Sequence, residues 1–341
     1  MRHIRGWICA LALMAGGAHA QEIPSPAPAG DWRALTEADL TAAETLIRDN
    51  HPAMALAMND PAFIARFNAS SKRAHALVPQ VTSADGMAAV LRTFATGLGD
   101  DHIRWSARSA PTGLRWPGFL VSRQIGAWRV DGVTPDGPPD GARLISCDGT
   151  EVATLAYKRL GTHISDPSVE AQQIFASFWL MIDDGNPFVP APAACRFQAG
   201  RQIVQQTLNW RPVTLDELRA ARSHMHVAGA AGFGVAPAGK AWWISLEMLD
   251  ARAEDVLKAV QNKQAELREA PLVVVDVRGN GGGSSPYGDR LAALLLGDAP
   301  LKAIEPAAGP PGCESVWRAS PGNLKAMRAA GMATPKPWPR R

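Results

Sequence analysis

The chain has 341 residues, 46% hydrophobic and 20% charged, with a formal net charge of +3. That length accommodates two domains, and the apolar share supports a real core. So small an excess of charge leaves no electrostatic footprint for nucleic acid or an anionic membrane surface, and the eleven tryptophans are scattered without forming a binding cluster.

Residues 1–20 read as an export signal. "MRHIR" is a basic start, "GWICALALMAGG" an apolar stretch, and "AHA", ending at Ala20, a small-x-small cleavage site. The apolar run is too short to anchor in a bilayer. The expectation is a mature chain starting near Gln21, periplasmic or secreted, with no membrane anchor. Cys147, Cys195 and Cys313 then remain, in a compartment that permits disulfides. Cys147 and Cys195 share one middle segment and are the favoured pair; three unpaired thiols is the alternative.

Residues 21–35 form a Pro/Ala-rich tether with little to bury. From 36 to 102 the signals are helical. "TEADLTAAETLIRDNHP" opens on a Thr cap and stops before Pro52, and "DPAFIARFNASSKRAHALV" and "SADGMAAVLRTFATGLG" space their apolar residues three and four apart. Residues 103–212 carry short strands and turns. Asp148-Gly149 marks one hairpin and "CRFQAGRQIVQQTLNW" a second around Gly200, with a helical stretch from Pro167 to Asp183. Residues 213–300 alternate: strand "AWWISLEML", a helical stripe Ala253, Val256, Leu257, Val260 and Leu267, buried strand "PLVVVDV", then helix "PYGDRLAALLL" with Ser285 as N-cap and Gly297 as its stop. Such alternation predicts parallel strands joined by a right-handed crossover. Residues 301–341 are poorly patterned apart from one short helix, "SPGNLKAMRAAG". The predicted class is α/β, α+β overall: a helical N-terminal layer, a mixed insert, and a partial parallel βαβα core.

"PLVVVDVRGNGGGSS" places four glycines between the carboxyl end of a strand and a helix N-terminus. Ligands of open α/β sheets sit at that edge. Glycines let unpaired backbone N–H groups approach a phosphate or a developing oxyanion. "GNGGGS" matches a dinucleotide loop only in its first half, since Ser284 replaces the third glycine. Acyl transfer is the other chemistry such a loop serves. A base for it is His102, just past a helix end beside Asp100 and Asp101. "HMH" at His224 to His226 lacks partner ligands at metal-binding spacing, so neither a metal nor a cofactor is expected.

The two motifs together resemble the tail-specific protease family, also called C-terminal processing or tricorn-type serine peptidases. That family pairs an early D-G-H-T with a late D-[LV]-R-x-N-x-G-G. The second is matched by "DVRGNGGG", Asp276 to Gly283; the first appears as "DDHI", with Asp101 in place of Gly and Ile103 in place of Thr. "GARLISCDGTEV" is similar to part of the PDZ-like insert such proteins carry. The resemblance implies that His102 is the general base, that Gly282 and Gly283 contribute to the oxyanion hole, and that Asp276, Arg278 and Asn280 shape the loop. It also implies that the PDZ-like insert binds a peptide as an added strand. The family's nucleophile lies in a T-x-S-A-x-E segment after a further strand, and no such segment is found. Ser284 and Ser285 sit in the loop itself, Ser315 and Ser320 lack the context, and Lys302, Lys325 and Lys336 do not supply the base of a Ser–Lys branch. The expectation is an exported serine-type peptidase family protein, acting on peptide or unfolded protein through an acyl-enzyme and inactive in this chain for want of the nucleophile. The alternatives are a non-catalytic PDZ-like peptide-binding protein and an anion- or nucleotide-binding protein using the glycine loop.

Overall fold

The structure, a computed structural model, describes residues 31–56, 58, 60–106, 113–124, 126–132, 137–223, 225, 232–278, 280–297, 299–301, 318–329 and 331. The predicted export signal, most of the predicted Pro/Ala tether, His224, His226, Cys313, Ser315, Lys302 and Lys336 lie outside these residues. Among the described residues, no helix is long and apolar enough to cross a membrane. The architecture is mixed α/β.

The helical layer is α1 (Trp32–Asn50), α2 (Pro61–Leu77) and α3 (Ala84–Thr96). Helix α1 begins four residues before the predicted Thr36 cap. Asp31 caps it instead, its carboxylate accepting from the Ala34 amide at 3.2 Å. Thr36 lies inside the helix, fully buried, with its hydroxyl on Trp32 O. Asp60 and Ser83 cap α2 and α3 by accepting from Phe63 and Gly86 amides. The apolar stripes meet in one cluster containing Leu40, Phe63, Phe67, Val90 and Phe94, with the Phe67 and Phe94 rings edge to face at 5.8 Å.

The insert is built on an antiparallel sheet of β2 (Leu120–Gln124), β3 (Ala127–Asp131), β4 (Arg143–Cys147), β6 (Ala194–Ala199) and β7 (Gln202–Thr207), in that order, with β5 (Thr150–Glu151) pairing β4. Asp148 and Gly149 both have positive φ, 46° and 76°, as the predicted two-residue hairpin requires. Helices α4 (Val152–Leu160) and α5 (Glu170–Ala176) and a 3-10 turn, Ser177–Met181, complete it. One sheet face is closed over Phe119, Leu144, Leu160, Leu180 and Phe197. Cys147 and Cys195 are direct cross-strand partners on β4 and β6 and form a disulfide. Short strands β1 (Arg115–Trp116) and β8 (Arg211–Pro212) pair with each other and bring the two ends of the insert together. Helix α6 (Leu215–Ser223) also packs here, with Leu218 against Leu114, Trp116 and Ile182. The insert's packing therefore extends past residue 212.

Residues 232–297 build the α/β unit: β9 (Phe233–Ala238), β10 (Ala241–Leu246), α7 (Ala253–Asn262), α8 (Gln264–Glu269), β11 (Leu272–Asp276) and α9 (Ser285–Leu296). Strands β10 and β11 are parallel, as the strand–helix–strand pattern predicts, and β9 adds antiparallel to β10. The buried stripe Ala253, Val256, Leu257, Val260 and Leu267 packs on Ile244 and Leu246. Strand β11 departs from its predicted burial. It is the sheet edge, and Leu272 is 56% and Val275 40% exposed. Ser284, not Ser285, is the N-cap of α9, without a side-chain cap bond; Gly297, at φ 79°, ends it. The predicted short C-terminal helix, α10 (Pro321–Ala329), docks on the end of α1, where Asn323 Nδ2 donates to Asn50 O at 2.9 Å.

Candidate active site

His102 follows the end of the helical layer on a tight turn fixed by Asp100, whose Oδ1 accepts from the His102 amide at 2.8 Å. The same oxygen lies 3.1 Å from His102 Nδ1. A carboxylate on Nδ1 fixes the tautomer in which Nε2 is a free acceptor. The His102 side chain is 98% exposed, so that acceptor faces water. Among the described residues, no Ser, Thr or Cys hydroxyl or thiol hydrogen-bonds to it.

The second partner of Asp100 is His51, which the sequence reading passed over. His51 Nδ1 accepts from the Ala53 amide at 3.2 Å, which leaves its proton on Nε2, 3.2 Å from Asp100 Oδ2. The ring stacks on Phe63 with centroids 4.1 Å apart. Asp100 is thus gripped on both oxygens. Partial burial pushes its carboxyl upward, but the His102 amide, the His51 ring and the His102 ring together outweigh it and hold the pKa below the ordinary value. The result is an oriented His–Asp pair backed by a second, half-buried histidine.

The glycine loop is held from within. Asn280 is its clamp: Nδ2 donates to Leu246 O at 2.7 Å, and Oδ1 accepts from the Gly282 amide at 2.7 Å. The Asn280 amide donates to Val277 O, the Gly281 amide to Glu247 O, and the Ser284 amide to Leu249 O. Of Gly282 and Gly283, the residues assigned to an oxyanion hole, Gly282 therefore has its amide engaged. Gly283's amide makes no hydrogen bond to a described residue. Gly283 sits at φ 130°, and a Cβ there would lie 2.2 Å from Leu249 O. The glycine is required by close approach of the β10 exit strand.

Asp276 ends β11 beneath Arg278 and Trp243. Arg278 donates from Nε at 2.9 Å, Nη2 at 2.8 Å and its amide at 3.0 Å, and Trp243 Nε1 donates at 3.1 Å. The Arg278 side-chain bonds are the largest influence and hold Asp276 at a pKa of about 2. Its cover is thin: two side chains rather than the body of the core. Asp276, Arg278 and Asn280 thus anchor the loop's entry.

The two parts are on different bodies of packing. Among the described residues, no hydrogen bond, ion pair, ring contact or core cluster joins residues 232–297 to the helical layer or the insert. The geometry can offer an oriented base and one free loop amide. Among the described residues, no hydrogen bond or core cluster joins the imidazole to the loop. Among the described residues, no group of three or more His, Cys, Asp or Glu side chains is placed to hold a metal.

No family model matches the chain, and no curated protein matches it. Solved structures do. They include CPAF, a chlamydial serine protease, as the mature protein complexed with lactacystin and as the mature protein alone. Each has a TM-score of 0.50 and 15% identity over 77% of this chain. A serine-to-alanine mutant of CPAF aligns at TM-score 0.55, also with 15% identity over 77% of this chain. The chain spans 58% to 59% of the length of these solved chains. At that identity the likeness is one of fold, and the fold of this chain is serine-protease-like.

Proposed function

We propose that this chain is an exported, tail-specific-protease-like protein that binds extended or unfolded peptide through its PDZ-like insert and does not cleave it unaided. One observation carries the second half of the reading. Three of the four loop amides from Asn280 to Gly283 are engaged within the loop or with the β10 exit, while the His102 ring points into solvent without a nucleophile beside it. An oxyanion hole works only if its donors are free and aimed at the reacting atom. The first half is supported by β7, an edge strand whose residues are all exposed except Gln206. Such an edge accepts an added strand through main-chain hydrogen bonds.

The test is direct. The purified chain is incubated with a fluorophosphonate probe and with fluorescently labelled unfolded casein. No serine is expected to be labelled and no fragments released, while casein shifts in anisotropy. Labelling of any serine overturns the non-catalytic half; an unchanged anisotropy overturns the binding half.

A further inference from the structure

The insert's outer sheet face breaks a rule of strand pairing. Arg129 on β3 and Arg143 on β4 are direct cross-strand partners, and both are exposed. Like charges placed opposite each other destabilise an antiparallel pair. Gln198 on β6 continues the row beyond Arg143, and Arg196 stands two residues along the same face of β6. Among the described residues, no carboxylate lies within ion-pair distance of Arg129, Arg143 or Arg196. Violations without local compensation mark functional surfaces.

The same residues line a surface cavity of about 460 Å³, bounded by Arg129, Asp140, Gly141, Arg143, Gln198 and Gly200. Arg129 is preset there, with Nη1 donating to Gly141 O at 3.0 Å. Two guanidinium groups and the one carboxylate of Asp140 leave the cavity with a single net positive charge. That matches one carboxylate better than a doubly charged phosphate. Guanidinium forks suit the planar carboxylate, which they bind in bidentate fashion.

We propose that this cavity binds a carboxylate side chain of an acidic peptide, with Arg196 placed to meet a second acidic residue. The inference rests on the peptide-binding reading above and names its preferred ligand class. The missing counter-charge of the Arg129–Arg143 pair is then supplied by the ligand.

Three fluorescein-labelled peptides of equal length, rich in Glu, Gln or Lys, are titrated by anisotropy against the full chain and its Arg143→Gln and Arg143→Glu variants. Unchanged melting temperatures establish that the variants fold. The Glu-rich peptide is expected to bind about tenfold tighter than the Gln-rich one, to lose that margin in both variants, and to weaken with added salt. Equal affinities for the Glu-rich and Gln-rich peptides in the parent chain overturn this inference and leave the peptide-binding reading standing. So does a Glu preference that survives both substitutions. Binding of no peptide overturns the peptide-binding reading. The cavity is then judged by the Nε–Hε NMR signals of Arg129 and Arg143 during titration with N-acetylglutamate and, separately, inorganic phosphate. Shifts saturating with N-acetylglutamate support the carboxylate site. A stronger response to phosphate, or none to either, overturns it.

Discussion

Acid should loosen the joint between the insert and the helical layer through one residue, His163. The ring follows α4, is stacked on Trp179 at 4.3 Å and 9°, and lies 3.8 Å from Asp184. Arg92, from α3, sits 2.5 Å from Asp184 Oδ2, a close ion pair that is not aligned as a hydrogen bond. Arg159 lies on the other side, its guanidinium on the carbonyls of Leu180, Ile182 and Pro190. Burial is the chief cause of the low His163 pKa. Asp184 opposes it, Arg92 and Arg159 add to it, and the pKa settles at about 4 against an ordinary 6.5. The folded pKa is below the unfolded one. Between about 4 and 6.5 the unfolded chain therefore binds a proton that the folded chain refuses, and stability falls as pH falls through that window. Linkage puts the loss on the order of 1 kcal/mol by pH 5.5, rising to roughly 3 kcal/mol across the window. Asp85 acts in the opposite sense. Burial, then Asp184, raise its pKa, so its protonation in acid relieves a penalty. Subtraction against a variant that keeps Asp85 removes that contribution. His163→Phe keeps the stack on Trp179 and cannot titrate. Urea unfolding of the parent and the variant at pH 7.5, 6.5, 5.5 and 4.5, with hydrogen exchange at α4 amides as a local readout, should give curves that diverge below pH 6.5. Parallel curves refute the reasoning.

Three further outcomes follow from other parts of the molecule. Replacing Cys147 and Cys195 by Ala opens a crosslink with a sequence separation of 48 and should destabilise the insert by about 4 kcal/mol on the chain-entropy estimate, measured by denaturation with and without reductant. Gly283→Ala forces a Cβ against Leu249 O at a positive φ. Hydrogen exchange should speed up in residues 232–297 by tenfold or more, for a cost of about 2 kcal/mol, with α1 to α3 unaffected. Asp276 is ionised in the fold down to a pKa of about 2, so its stabilising contribution is present above pH 3.8 and is lost as pH falls toward 2. Asp276→Asn should lower stability by a pH-independent amount above pH 5 and flatten that acid limb, and an unaltered acid limb would show that the Arg278 contacts do not matter.

The parts legible in the sequence were those governed by local rules. The apolar spacing after Asp60 and Ser83 gives α2 and α3, Asp148-Gly149 turns the hairpin, and the stripe from Ala253 to Leu267 packs one face of a crossover. The parts that were missed depended on distant neighbours. Strand β9 escaped notice because Pro237 interrupts it, which is tolerated only at a sheet edge, and edge status is not local information. Helix α4 was hidden behind the "GTEV" strand signal, since Val152 suits either state. His51 is 49 residues from Asp100, and its only hint was a histidine immediately before the helix-stopping Pro52. "LVVVD" does read as a strand buried on both sides, the usual pattern of a parallel sheet. Among the described residues only β10 flanks it, and half of its apolar run is exposed.

That exposed edge bears on how binding and chemistry divide within the chain. The helical layer and insert are knitted together: Arg92 to Asp184, Thr96 Oγ1 to Gly161 O at 3.2 Å, Gln172 Nε2 to Asp101 Oδ2 at 3.2 Å, and Phe188 packed into the α1–α3 cluster. His102 and the arginine face therefore belong to one cooperative body. The glycine loop belongs to another, whose core from Phe233 to Leu295 is self-contained. The proposed peptide binding on the insert would need only the first body. Catalysis would need the loop amides and His102 to face one substrate, and among the described residues no hydrogen bond, ion pair or core cluster links the two. The surface available for such a link is apolar: Leu272, Val275 and Val277 on and just beyond β11. Burying it would contribute roughly 25 cal/mol per Å² toward ordering the two bodies. A strand laid against β11 would therefore act on the loop's position and leave the arginine face unchanged.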